Sequence, residues 1–425
     1  MNTLHQEIDQ LELYAQLYRE YGVQGVDEAL AKAAEAIKAA REKLAASPAD
    51  PALLKQEPDD YATILSLRPA ASKRMKAAIG DYPDKLLGAL QCRMAGCTLG
   101  AIVEGWPVER MEKWAATCGD AFPPVDYWSK ANSPENLRYG MSPEKAYTRG
   151  GLNGVPVDDD VTYTLLGLLI AEKYGVDFTT NDVGRAWIDW LPIACTAEDI
   201  ALKNLKKGIP AMKAAELDNP FCQWIGADIR SDPWGYIAAG NPEKAASMAY
   251  QDAYLSHRRN GIYGEMYLSA AQAAAFAADS AEEALRAGLL EIPRDCLLAR
   301  DVRWALDIAP KVKDWREARR LVDERFGNMS HVHTNNNMCL MIFGLILGGK
   351  DVTKVLGEVV AMGMDNDCTG ASAGSIVGAL VGAKNVPAHW TKHFNNKIRS
   401  YLTGFEWFAI DGLVRRFEAM HRKIV

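Results

Sequence analysis

An all-α fold is predicted for this 425-residue chain by three observations. Apolar residues recur with helical period. No run of alternating β-branched residues marks a strand. Two stripes of small residues repeat at four-residue spacing.

The first helical stretch carries Leu11, Tyr14, Leu17, Tyr18 and Tyr21 and stops near Gly22. A second, over 27–46, has Leu30, Ile37 and Leu44 seven apart, with Glu28 and Lys32 as an i,i+4 pair and alanine filling the rest. The two predict a helical hairpin, an extension suited to packing or to homodimer formation. Residues 47–60 contain three prolines and several acids and read as a linker. The chain is thereby divided into an N-terminal extension, 1–60, and a main domain, 61–425. From Asp84 onward, helical patterns alternate with loops containing Gly, Pro and Asn.

The first small-residue stripe is Gly88, Cys92, Gly96 and Gly100; the second is Gly370, Gly374, Gly378 and Gly382. Residues four apart share one helix face. Glycine costs a helix about 1 kcal/mol relative to alanine, so repeated glycine needs a compensating gain. Close packing of two central helices supplies it. Both segments are too short to span a membrane.

Formal net charge is −7, from 48 basic and 55 acidic residues, which speaks against a nucleic-acid backbone as the main partner. None of the eight cysteines forms a CxxC pair, and scattered thiols suit a reducing compartment. The first twenty residues lack an apolar signal core. A cytoplasmic protein without membrane attachment is the expectation. GxxxxGK[ST] is absent, against P-loop chemistry. His331 with His333, and His389 with His393, read as polar or packing residues rather than metal ligands.

Acidic residues cluster where the helices begin and end. Glu104 follows the first stripe, Asp365-Asn366-Asp367-Cys368 precedes the second, and Asp158-Asp159-Asp160 opens a helix ending at Gly175. A single aspartate there is ordinarily a cap. Three in succession repel one another, and a cation among them relieves the repulsion. Carboxylates without histidine or thiolate partners suit Mg²⁺, Mn²⁺ or Ca²⁺ rather than zinc.

In order along the chain, these motifs resemble those of the ADP-ribosylglycohydrolase family. They are Gly88 to Glu104, Asp158-Asp159-Asp160-Val161, the segments 224–230, 240–243 and 256–264, and Asp365 to Ala383. The resemblance implies a multi-helix domain with a central cleft holding two divalent cations, Mg²⁺ or Mn²⁺. It implies Asp159, Asp160, Asp365 and Asp367 as ligands, with Asp367 bridging. Asp158 stands where the family usually has Thr and adds a carboxylate to the ligand set. Val161 and Cys368 likewise replace threonines, and Cys97 replaces an aspartate. Glu104, Asp160 and Asp365 are the implied catalytic carboxylates, Glu104 near the ribose. Gly226, Ala227, Arg230, His257 and Tyr263 are expected to bind substrate, with Trp224 or Trp234 available to stack on a base. The implied activity is hydrolysis of a ribosyl glycosidic bond, first in an ADP-ribosyl adduct on a small molecule or macromolecule. The alternatives are another nucleoside-like or metabolite substrate, suggested by Asp158 and Cys368, and a catalytically silent binding protein.

Overall fold

The computed structural model describes residues 3–47, 50–71 and 73–424. They form two units, one ending at Lys55 and the other beginning at Gln56.

In the smaller unit, α1 (Leu4–Glu20) and α2 (Val26–Ala45) make the expected hairpin. Thr3 and Gln6 close α1 with a reciprocal capping box. Gly22 and Gly25 take positive φ in the turn, and Arg19 pairs with Asp27 across it at 2.6 Å.

The larger unit starts earlier than the prolines suggested. Glu57 and Asp59, read from the sequence as linker, are anchored in it. Buried Glu57 pairs with Arg259 and accepts from the Leu297 N–H at 2.8 Å. Asp59 accepts from the Arg259 N–H at 2.7 Å. Proline marked a break in helix here, and the chain stays ordered because buried charge partners hold it.

The centre of this unit is the pair α3 (Tyr82–Ala101) and α8 (Asn366–Val381). Between them in the chain lie α4 (Asp159–Tyr174), α5 (Thr196–Lys206), α6 (Asn260–Ala275) and α7 (Thr334–Gly348). The predicted glycine stripes meet each other. A Cβ added at Gly96 would collide with the Gly370 carbonyl, at Gly374 with that of Cys92, and at Gly378 with that of Gly88. The two helices therefore run antiparallel with their backbones in direct contact. Every residue of α6 is buried, so it forms a second fully enclosed rod. The strands among the described residues are short: β1 (Leu137–Arg138) pairs antiparallel with β2 (Ser142–Pro143), and 398–399 pairs with 407–408. Among the described residues, no helix is long and apolar enough to cross a membrane.

Candidate metal centre

The antiparallel contact decides where the acids fall. Gly100, the penultimate residue of α3, lies against the Asp367 backbone in the first turn of α8. Glu104, just past α3, is thereby carried to Asp365 and Asp367. The third acidic group is brought in by Arg93, which sits fully buried on α3. Its Nη2 donates to the Asp160 carbonyl at 2.6 Å and to the Ile229 carbonyl at 2.7 Å, and its Nε donates to Thr164 Oγ1 at 2.7 Å. Its charge is balanced by Asp232, 2.5 Å from Nη1. One arginine thus fixes the start of α4 against α3.

Two sets of ligand atoms result, Cys97 with Asp158 and Asp160, and Glu104 with Asp365 and Asp367. Within each set the atoms lie within 4.8 Å of one another. Asp158 caps α4, and its Oδ1 accepts from the Asp160 N–H at 3.2 Å. Asp160 Oδ1 is buried without a hydrogen-bond partner, with Arg93 Nη2 3.5 Å away. Oxygen donors of this kind fit a hard divalent cation. The Cys97 thiol does not: burial pushes its pKa well up, so it stays protonated and is a poor ligand for such an ion.

Burial also raises the acids. Asp158 is lifted to about 7 by burial, with Arg138 opposing, and Asp365 to about 8 by burial and the neighbouring Glu104. Asp160 and Asp367 move in the same direction, burial again leading. The ordinary value is 3.8. Between that and about pH 8 the metal-free folded protein holds protons that the unfolded chain has lost, so its stability falls as pH rises through this window. Metal-free protein is expected to melt a few degrees lower at about pH 8.5 than at about pH 6. Saturating Mn²⁺ should remove most of that difference in a calorimetric scan. Equal melting at both pH values without metal contradicts the assignment of these raised acids.

A cavity of about 120 Å³ opens beside the acids, lined by Asp159, Asp160, Asp365, Asp367 and Glu104 and also by Trp224, Gly226 and Glu198. Of the residues expected to bind substrate, Gly226 lines it. The others do not. Ala227 is completely buried. Arg230, 2 % exposed, spends its guanidinium on Asp252 (2.6 Å), Glu198 (2.7 Å) and Glu265 (3.4 Å). It therefore has no donor for a substrate anion, and a polar stretch of sequence proved to be an internal ion-pair network. His257 is buried with Nδ1 on Ser256 Oγ at 2.8 Å, and Tyr263 is buried with its hydroxyl on the Pro58 carbonyl. Trp234 is likewise buried and donates to Glu265, leaving Trp224 as the cavity's indole.

Three residues at the site were missed by sequence reasoning. Arg93, a lone charge between small residues of an otherwise buried helix, carried a readable signal. Glu198 did not, because acids in a first turn normally serve the helix dipole. Burial raises it to about 7 against the pull of Arg230. Its carboxylate packs on Gly226, where a Cβ would run into both oxygens. Gly226→Ala is therefore expected to displace Glu198 from Arg230 and cost about 1–3 kcal/mol in urea denaturation. An unchanged midpoint would show that this wall yields freely. Arg138, in β1, is the third.

A family model described as ADP-ribosylglycohydrolase matches residues 78–422. Among solved structures, a chain of an "ADP-ribosylglycohydrolase-related protein complex" is similar at a TM-score of 0.50 and 18% identity, over 81% of this chain and 99% of that one. At this identity the likeness concerns the fold. No curated protein matches the chain.

Proposed function

Because the chain belongs to the ADP-ribosylglycohydrolase family, we propose that it hydrolyses a ribosyl glycosidic bond with the aid of Mg²⁺ or Mn²⁺, an ADP-ribosyl adduct being the first substrate class. The observation that carries this reading is the convergence of acids from two distant stretches, 158–160 and 365–367, with Glu104 on one cavity.

Breaking such a bond builds positive charge on the anomeric carbon. An anionic wall of carboxylates favours that charge. A divalent cation, when bound, supplies a water of lowered pKa and a hold on the ribose hydroxyls. Asp158, Asp159, Asp160, Asp365 and Asp367 are the residues to hold it. Glu104 has its side chain 44% exposed at the cavity mouth, where a carboxylate can exchange protons with solvent. Asp160 and Asp365 complete the proposed catalytic set. Glu198, held between Arg230 and the cavity, faces the same space as a second proton-transfer group. Trp224 offers an aromatic face to a base or sugar.

The cavity's size favours a second reading within the same chemistry. At about 120 Å³ it is well below the roughly 300–1,000 Å³ of common small-molecule sites. It encloses a single sugar-sized group, so a ribosylated metabolite smaller than ADP-ribose fits as well. The test is turnover of ADP-ribosylated protein and of smaller ribosyl compounds by the full chain with Mg²⁺ or Mn²⁺, reading released sugar. Release from the smaller compounds alone selects the second reading. No release from any, with metal bound, removes both.

A further inference from the structure

The acidic centre already contains a cation belonging to the chain. Arg138 comes from β1, outside both acidic stretches, and its side chain is only 14% exposed. Its Nη2 alone lies 2.9 Å from Asp158 Oδ2, 3.0 Å from Glu104 Oε2 and 3.1 Å from Asp367 Oδ2. These oxygens belong to both ligand sets. One nitrogen thus gathers three carboxylates, as a divalent ion between the sets would. The guanidinium is also fixed from other directions. Its Nη1 donates to the Ala101 carbonyl at the end of α3 and to Glu104 at 3.1 Å. Its carbon lies 5.6 Å and 5.8 Å from the Tyr139 and Tyr147 ring centroids. The β1–β2 register holds its backbone opposite Ser142. A planar fork presents its donors in fixed directions, which a lysine's rotating ammonium does not, and arginine keeps its charge at any working pH.

We infer that the Arg138 guanidinium takes one of the two cation positions permanently, so that this chain binds a single divalent ion. Of the acids in the two clustered stretches, Asp159, Asp160 and Asp365 line the cavity without bonding to Arg138, and these receive it. The unpartnered Asp160 Oδ1 is the buried atom that such an ion would satisfy. The inference rests on the metal-assisted reading above and changes its stoichiometry. Arg138 is a positioning residue here, since it tethers Glu104 at the mouth of the cavity.

Mn²⁺ counting by equilibrium dialysis on the full chain tests this, with electron paramagnetic resonance of the bound metal. Wild type is expected to hold one Mn²⁺ per chain with the spectrum of an isolated ion. Arg138→Ala is expected to hold two, with the spectrum of a spin-coupled pair, and Arg138→Lys to stay at one. Where circular dichroism shows that Arg138→Ala does not fold, Arg138→Gln, which keeps most of the side-chain length, replaces it. Two ions in wild type, or one in a folded charge-removed variant, overturn the inference and leave the metal-assisted reading standing. No bound Mn²⁺ in any of the proteins overturns both.

Discussion

Asp367→Ala is expected to weaken Mn²⁺ binding by about 10–100-fold and to cut metal-dependent hydrolysis at least as far. Loss of a partner one layer outside a metal's ligands costs about 10–100-fold, and Asp367 holds Arg138 beside the proposed ligands Asp159, Asp160 and Asp365. It is 2 % exposed, shares its ligand set with Glu104 and Asp365, and contributes one oxygen to Arg138 and the other to the Cys368 N–H at 3.1 Å. Removing the carboxylate takes a negative charge from the cation's position and leaves the buried guanidinium short of an acceptor. Asp367→Asn separates the two consequences, since it keeps the volume and loses the charge. Calorimetric titration with Mn²⁺ and a turnover assay are the measurements. Wild-type affinity and rate in Asp367→Ala would end the metal-assisted reading.

Gly96→Val is expected to be the most disruptive single change, costing more than about 4 kcal/mol or preventing folding. Ordinary overpacking costs about 1–3 kcal/mol because side chains move aside. At Gly96 the obstruction is the Gly370 carbonyl, and the atoms behind it belong to the α8 backbone. Relief requires the helices to separate along their whole length. Gly96→Ala should follow at lower cost, its better helix propensity returning about 1 kcal/mol. Urea denaturation monitored by circular dichroism measures both. A loss below about 1 kcal/mol in the valine variant means that α3 and α8 can part without cost.

What could be read before the structure followed from periodicity and from improbability. Small residues, mostly glycine, at every fourth position are costly in a helix, so Gly88–Gly100 and Gly370–Gly382 announced a backbone contact. Consecutive aspartates repel, so 158–160 announced a charge partner. The hairpin of α1 and α2 was legible from apolar spacing and from Gly22. Arg230, His257 and Tyr263 were misplaced because sequence shows chemical type but not the direction of a side chain. A polar group meets either the cavity or the interior, and local pattern does not distinguish them. Glu198 was hidden because an acid in the first turn of a helix ordinarily serves the helix dipole. Arg138 was hidden because its partners lie 34, 20 and 229 residues away in the chain.

With α3 and α8 touching main chain to main chain, no soft layer of side chains lies between them to absorb thermal motion. The spacing of the end of α3 from Asp365 and Asp367 therefore changes little until the two helices part. On heating, cation uptake should persist almost unchanged and then vanish in the same narrow interval as helicity. The cavity residues of α5 and the 225–230 segment are held instead by side chains, through Arg93 on the Ile229 carbonyl and Arg230 on Glu198, so that part of the lining can change by substitution without parting the two helices.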